Sequence, residues 1–387
     1  MDRFVYADNS ATTKIDDEVF RAMVPWLSEG YGNASSVYKL GQAAKKAMEE
    51  ARTKIAGAFN CAPAEIYFTS GGTEADNWAI RGAAKANEKK GKHIISSRIE
   101  HHAVLHTLAA MAKEGYEITY LEVDGNGTIN PEDLKKAIRE DTVLVTIMAA
   151  NNEVGTIEDY EAFGEICRER GILFHTDAVQ AVGRVRFDLA KQAIDLLSLS
   201  AHKLYGPKGV GVLYIRKGTR IANLVEGGGH ERGRRSGTEN IAGIVGLGRA
   251  IELGYERMEA ENARLNKLAE RLIAGVIKLP DVRLTGEPQK RLAGHTSFAI
   301  KYVEGESMVL MLDMNNIAAS SGSACSSGSL DPSHVLMSMG LSHEEAHGSL
   351  RLSLGHFNDE QDVDYILEKL PPIVERLRMM SPLANRG

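Results

Sequence analysis

The chain has 387 residues, enough for two or three domains of ordinary size. It is 43% hydrophobic and 25% charged with 38 Gly and 10 Pro, which excludes disordered, collagen-like and low-complexity classes. Lys+Arg 46 against Asp+Glu 52 leaves a net charge of −6 and no long basic run, so no face for nucleic acid is expected.

From the N-terminus, Met1-Asp-Arg-Phe lacks the basic region and apolar stretch of a leader. Apolar runs such as 143–150 are too short to cross a membrane, so the reading is a cytoplasmic protein. Strands are expected at 65–69, 93–97, 117–123, 142–148, 172–176, 195–200 and 209–215, alternating with helical patterns. Leu40, Ala44, Ala47, Ala51, Ile55 and Phe59 form one helical stripe, and Asn130-Pro131 reads as a capped helix start. This alternation predicts an α/β fold, with a mostly parallel seven-stranded sheet flanked by helices in a large domain of residues 14–256. Past Thr238 a long helical stretch runs to about 279, followed by strands at 296–302 and 350–354 and a helix at 359–379. That is expected to be a smaller α+β domain, residues 1–13 and 257–387.

Ligands of an open parallel sheet bind beyond the carboxyl ends of its strands, so the residues following each strand matter most. After 65–69 comes Ser70-Gly71-Gly72-Thr73-Glu74 at a helix start, where backbone N–H groups and hydroxyls suit an anion, or merely turn the chain. The spacing matches neither a dinucleotide fingerprint nor a P-loop. After 93–97 comes Glu100-His101-His102. Here an imidazole against an aromatic ligand, or an ordinary surface or core histidine, fits better than metal ligation by His102 and His106, which lacks the H-E-x-x-H order. Asn151 and Asn152 follow 142–148 and are expected to turn their amides to the crevice. Asp177 follows 172–176, with Gln180 one turn on, and Ala201-His202-Lys203 follows Ser200. A carboxylate, a lysine and an anion cradle at neighbouring strand ends fit pyridoxal 5′-phosphate: the lysine for the Schiff base, the acid for the pyridine nitrogen, the helix start for the phosphate. An ordinary ion pair is the alternative for Asp177 and Lys203 alone.

Cys61, Cys167 and Cys325 are three, without C-x-x-C spacing, so neither a disulfide framework nor a zinc site is suggested. Cys167 sits in an apolar helical pattern. Cys325 sits in the small-residue run Ala318-Ala-Ser-Ser-Gly-Ser-Ala-Cys325-Ser-Ser-Gly-Ser-Leu330, where a thiolate could reach a substrate and then a partner, an accidental surface thiol being the alternative.

The runs His175-Thr-Asp177-Ala-Val-Gln180, Ser200-Ala-His202-Lys203-Leu-Tyr-Gly-Pro-Lys-Gly-Val-Gly, Gly227-Gly-Gly-His230-Glu-Arg-Gly-Arg-Arg-Ser-Gly-Thr238 and Ser320-Ser-Gly-Ser-Ala-Cys325 resemble the cysteine desulfurases of the NifS/IscS type, class V members of the fold type I aminotransferases. The likeness extends from Tyr6-Ala-Asp-Asn-Ser-Ala-Thr-Thr13 to the Arg376–Leu383 segment. It implies pyridoxal 5′-phosphate as cofactor, with Lys203 as Schiff-base lysine and α-proton base and Asp177 on the ring nitrogen. Gln180 would touch the ring hydroxyl and His101 would stack on the ring. It further implies Gly72, Thr73, Ser200 and His202 on the phosphate and Thr238 on the phosphate of a second subunit, hence a homodimer. Asn152 and Arg351 would hold the carboxylate of L-cysteine, and Cys325 would take its sulfur as a persulfide, leaving alanine. The acceptor implied is an iron–sulfur scaffold protein of the U type, with Arg376–Leu383 a candidate docking segment.

Three positions depart from the family pattern: Ala34 where Pro is usual, Ala149 where Trp or His is frequent, and His356 where Arg is common. Ala149 is expected to open the pocket wall. A selenocysteine lyase, another fold type I enzyme or a non-catalytic scaffold are the competing readings.

Overall fold

A computed structural model describes residues 3–322 and 332–381. Its strands are β1 (Val5–Tyr6), β2 (Ile66–Thr69), β3 (His93–Ser97), β4 (Glu117–Leu121), β5 (Thr142–Thr146), β6 (Leu173–Asp177), β7 (Leu196–Ser200), β8 (Gly211–Ile215), β9 (Val282–Leu284), β10 (His295–Ile300), β11 (Ile317–Ala318) and β12 (Ser349–Ser353).

Seven strands form the central sheet in the order β2-β8-β7-β6-β5-β3-β4. β3, β4, β5, β6 and β7 pair in parallel, while β8 runs antiparallel to both β2 and β7. Every residue of β2, β3, β5, β7 and β8 is buried, as strands covered by helices on both faces require. One face packs Ile55, Phe59, Phe163 and Leu247 against Val145, Phe174 and Leu197. The other packs Trp78, Ile80, Val104 and Leu108 against Ile94, Leu144 and Leu213. Trp78 is fully buried and its indole N–H donates to the Ala222 carbonyl at 2.9 Å, so its apolar area leaves water without orphaning its donor.

The helix Ile241–Val276, 36 residues long, serves two cores. Its first half gives Ile244, Leu247 and Ile251 to the central sheet, and its second half gives Leu265, Leu268 and Leu272 to a second cluster. That second cluster also holds Phe298, Leu350, Leu352, Ile366 and Leu370 and is built on the three-stranded sheet β12-β10-β9. β1 pairs with β11, so the N-terminus joins the C-terminal part of the chain.

The strand positions follow the expectations with shorter ends. The expected 65–69 begins at Ile66 because Pro63–Glu65 is a 3-10 turn. The expected 172–176 slides by one residue, so that Asp177 closes β6 instead of following it. β1, β9 and β11, each two or three residues long, left no periodic signal.

Candidate active site

β3, β5, β6 and β7 are parallel, so their carboxyl ends lie on one edge of the sheet. The chain places β4 on one side of β3 and β5 on the other, which opens a crevice between diverging connections. The crevice holds about 360 Å³, and Ser10, Ala11, Ser320 and Arg351 line it from segments outside the central sheet.

Lys203 ends the 3-10 turn Ala201–Lys203 that follows β7. Its ammonium donates to the carbonyls of Ser10 at 2.6 Å and Ala11 at 2.7 Å, so the N-terminal segment holds the lysine in the crevice. Asp177 is 5% exposed, and its Oδ1 accepts from the Val179 N–H at 2.9 Å. Burial raises its pKa, opposed by that N–H and by the charge of Lys203. Asp76, one helical turn after Gly72, is also buried, and its Oδ1 has no hydrogen-bond partner. Burial and then the charge of Asp177 push the Asp76 pKa well up. Beneath them His175 is fully buried, with Nδ1 at 2.8 Å from Thr146 Oγ1 and Nε2 at 2.9 Å from Ser198 Oγ. Burial lowers its pKa to about 3 and keeps the ring neutral.

His101 caps the helix His102–Lys113, its Nδ1 accepting from the Ala103 N–H at 3.1 Å. Burial, then the charge of Lys203, bring it down to about 4, so it presents a neutral ring. The helix Gly72–Asn87 starts at the crevice with Gly72 and Thr73. A Cβ at Gly72 would stand 2.7 Å from Val179 Cγ2, so a larger residue has no room. Ser200 closes β7, and His202 lies with Nδ1 at 3.1 Å from Thr12 Oγ1, lowered to about 4 by burial. Gln180 donates to the Ser10 carbonyl at 2.8 Å.

Arg351 reaches in from β12. Its Nη1 donates to the Asn152 carbonyl at 3.0 Å and its Nη2 to Asp8 Oδ1 at 2.8 Å. Its Nε is buried without a partner. The side chain is 4% exposed, so this guanidinium faces the crevice rather than solvent.

The structure therefore brings together Gly72, Thr73, His101, Asn152, Asp177, Gln180, Ser200, His202, Lys203 and Arg351. Thr238 is exposed and is not part of this crevice. Cys325, the expected nucleophile, and Pro382–Leu383 of the candidate docking segment lie outside the described residues. Two expectations are corrected. Asn151 does not face the crevice: it is fully buried, donating to the Ile99 carbonyl at 2.9 Å and capping Glu153 and Val154, because the turn after β5 needs an internal side-chain partner. Ala149 does not form the wall: it is fully buried toward the helix-covered core, and its neighbours Met148 and Ala150 line the crevice instead. Of the other departures, Ala34 is buried, and the backbone N–H of His356 donates to the Tyr205 hydroxyl at 2.8 Å while its ring stands 3.5 Å from Glu261 Oε1.

Sequence reasoning missed Asp76, Ser10, Ala11 and Ser320. Asp76 was findable, since a residue four past Gly72 shares its helix face. The other three arrive from distant segments and carry no local signal.

The crevice is made of residues that carry the resemblance, and comparisons with known proteins agree. The family model described as aminotransferase class-V matches residues 5–366. The chain is 55% identical over 386 residues to a protein named cysteine desulfurase IscS of Clostridium botulinum strain Hall, covering 99% of this chain and 97% of that one. It is likewise 55% identical to a cysteine desulfurase IscS of Methanosarcina thermophila, covering 99% and 95% of the two chains. Among solved structures, one titled NifS-like protein superposes with a TM-score of 0.92 at 40% identity, covering 97% of this chain and all of its own.

Proposed function

The chain belongs to the class-V aminotransferase family, and from that premise we infer that its crevice removes sulfur from L-cysteine with pyridoxal 5′-phosphate as cofactor. It is a cysteine desulfurase, the activity named for relatives 55% identical over nearly its whole length. The observation that carries the assignment to this crevice is the meeting of Lys203, buried Asp177 and the glycine-bounded helix start at Gly72 in one cavity.

The residues present fit that cofactor. A buried Asp177 held by one N–H keeps an oxygen for a ring N–H, and burial without such a partner would be costly. The helix start with Thr73, Ser200 and His202 is a donor set for a phosphate. Neutral His101 supplies a flat ring beside Lys203. The chemistry such a cofactor supplies is an electron sink for the charge left when an α proton is removed.

We assign the remaining roles to this chain's own groups. Arg351 and Asn152, which both line the crevice, grip the substrate carboxylate, which fixes the amino acid's orientation. Lys203, once its nitrogen is a neutral amine rather than the ammonium that donates to Ser10 and Ala11, takes the α proton and returns it. The thiolate of Cys325 attacks the substrate sulfur. The carbon–sulfur bond breaks, its electron pair ends as a C–H bond of alanine, and Cys325 carries a persulfide; one cysteine and one thiol give one alanine and one persulfide, with no outside oxidant. The role of Cys325 rests on the Ser320-Ser-Gly-Ser-Ala-Cys325 run.

A homodimer belongs to the same proposal, supported by Thr238 standing exposed away from its own chain's crevice. So do an iron–sulfur scaffold of the U type as sulfur acceptor, a cytoplasmic location, and a domain division at 256, where the long helix passes from one core to the other. Among the described residues no helix is long and apolar enough to cross a membrane.

The test is alanine release from L-cysteine by the purified chain with a reductant present, beside Cys325→Ala. Alanine from the parent and none from the variant is expected. Equal alanine from both would remove Cys325 from the reaction, and a chain unable to take up pyridoxal phosphate would refute the cofactor assignment.

A further inference from the structure

The first turn of the helix Gly72–Asn87 carries one acid, Glu74, adjacent to the Gly72 and Thr73 that line the phosphate end of the crevice. A carboxylate there suits the helix dipole but repels a phosphate dianion. Its Oε2 accepts from the Ser70 N–H at 2.9 Å, which ties the Ser70–Glu74 turn into its bend. Arg235 meets it as a two-pronged fork, Nε to Oε1 at 2.6 Å and Nη2 to Oε2 at 2.9 Å. The two side chains are 20% and 15% exposed, so water screens the pair little.

Arg235 arrives there at the end of a strained turn. Glu231 at φ 46° and Arg232 at φ 59° are consecutive non-glycine residues in the left-handed region, which L residues enter only when their surroundings force it. The forcing contacts are visible. Arg52 donates to both Glu231 oxygens, at 2.7 and 2.9 Å, in a pair whose side chains are each 2% exposed, and Arg232 donates to the Ile66 carbonyl at 2.7 Å. Glu231 also accepts from the Phe68 N–H at 2.8 Å, so the turn is bolted to β2, the strand that leads into the Ser70–Glu74 turn.

We propose that Arg235 is a positioning residue that sets the phosphate affinity of the cofactor cradle without touching the phosphate, by cancelling the charge of Glu74. The inference rests on the pyridoxal phosphate reading above. It separates two roles within one loop: Arg235 acts on its own chain's cradle, whereas Thr238, three residues on, is exposed.

The experiment titrates the full-length chain, stripped of cofactor, with pyridoxal 5′-phosphate and in parallel with pyridoxal, which lacks the phosphate, following absorbance. Arg235→Met should weaken pyridoxal phosphate roughly tenfold while leaving pyridoxal unchanged. Glu74→Gln added to it should restore binding to within about twofold of the parent, because no uncancelled charge remains. A double variant as weak as Arg235→Met alone, or a parallel loss of pyridoxal, would overturn the proposal and leave Arg235 a purely structural residue. If the unaltered chain binds neither compound, the cofactor reading itself is wrong, which this design distinguishes from failure of the Arg235 inference.

Discussion

Replacing Arg351 with Gln isolates the substrate grip. In the structure the guanidinium commits Nη1 to the Asn152 carbonyl at 3.0 Å and Nη2 to Asp8 at 2.8 Å, and its Nε is buried with nothing to bond. A carboxylate bound here gains charge-assisted hydrogen bonds from a guanidinium only 4% exposed, worth about 3 kcal/mol for a paired fork. Losing that fork should lower kcat/KM for L-cysteine roughly a hundredfold, chiefly through KM. The introduced amide would still satisfy Asp8 in part, and Asp8 keeps 16% exposure to water, so folding should survive. Arg351→Lys, which keeps charge but not the fork, should fall between. The decisive assay compares L-cysteine with cysteamine, which has no carboxylate. The parent should prefer L-cysteine strongly, and Arg351→Gln should lose most of that preference. If the variant lost the same factor on both compounds, Arg351 would be acting through the shape of the crevice, and its assignment as the carboxylate grip would be wrong.

Three further outcomes follow from buried groups. Arg52→Met strands the Glu231 carboxylate in the core with only the Phe68 N–H as a partner, and should cost about 3–5 kcal/mol, read as a lower urea midpoint at unchanged slope. Gly72→Ala places a methyl 2.7 Å from Val179 Cγ2 and should cost about 1–3 kcal/mol of stability together with cofactor uptake, while Gly72→Ala combined with Val179→Ala should recover part of both. Stability against unfolding should fall as pH rises from about 6.5 to 8. Burial raises Glu100 and Glu158 from 4.5 to about 8, so the stability they give is complete below 4.5 and is lost as pH rises to 8. Burial lowers His175 and His295 from 6.5 to about 3, so theirs is complete above 6.5 and is lost as pH falls to 3. From 6.5 to 8 these two histidines are neutral in both states, so the two acids should remove up to about 3 kcal/mol per pH unit, and Glu100→Gln with Glu158→Gln should flatten that limb in urea melts. An unflattened limb would assign the loss to other groups.

What the sequence determined by itself is whatever has a local period or a local chemistry. The strands of the central sheet announced themselves because burial on both faces demands continuous apolar runs, and the helices because one stripe must face that sheet. The cradle at Gly72 and Thr73, and Lys203 and Asp177 at strand ends, were legible because chain direction in a parallel sheet already says which end of each strand meets a ligand. The tertiary structure alone decided the rest. Two short strands, β1 and β11, find each other across most of the chain's length and carry Ser10, Ala11 and Ser320 over the crevice; neither has enough residues to show a period. The same closure brings Arg351 from a second sheet to the Asn152 carbonyl. Asn151 and Asn152 are identical in type and adjacent in sequence, yet one is consumed inside a turn and the other faces the cavity, a choice made by backbone direction after β5. Nor could the pairing of Glu74 with Arg235 be read from either residue, since a charge 161 positions away becomes a neighbour only when a strained turn, bolted by Arg52, delivers it.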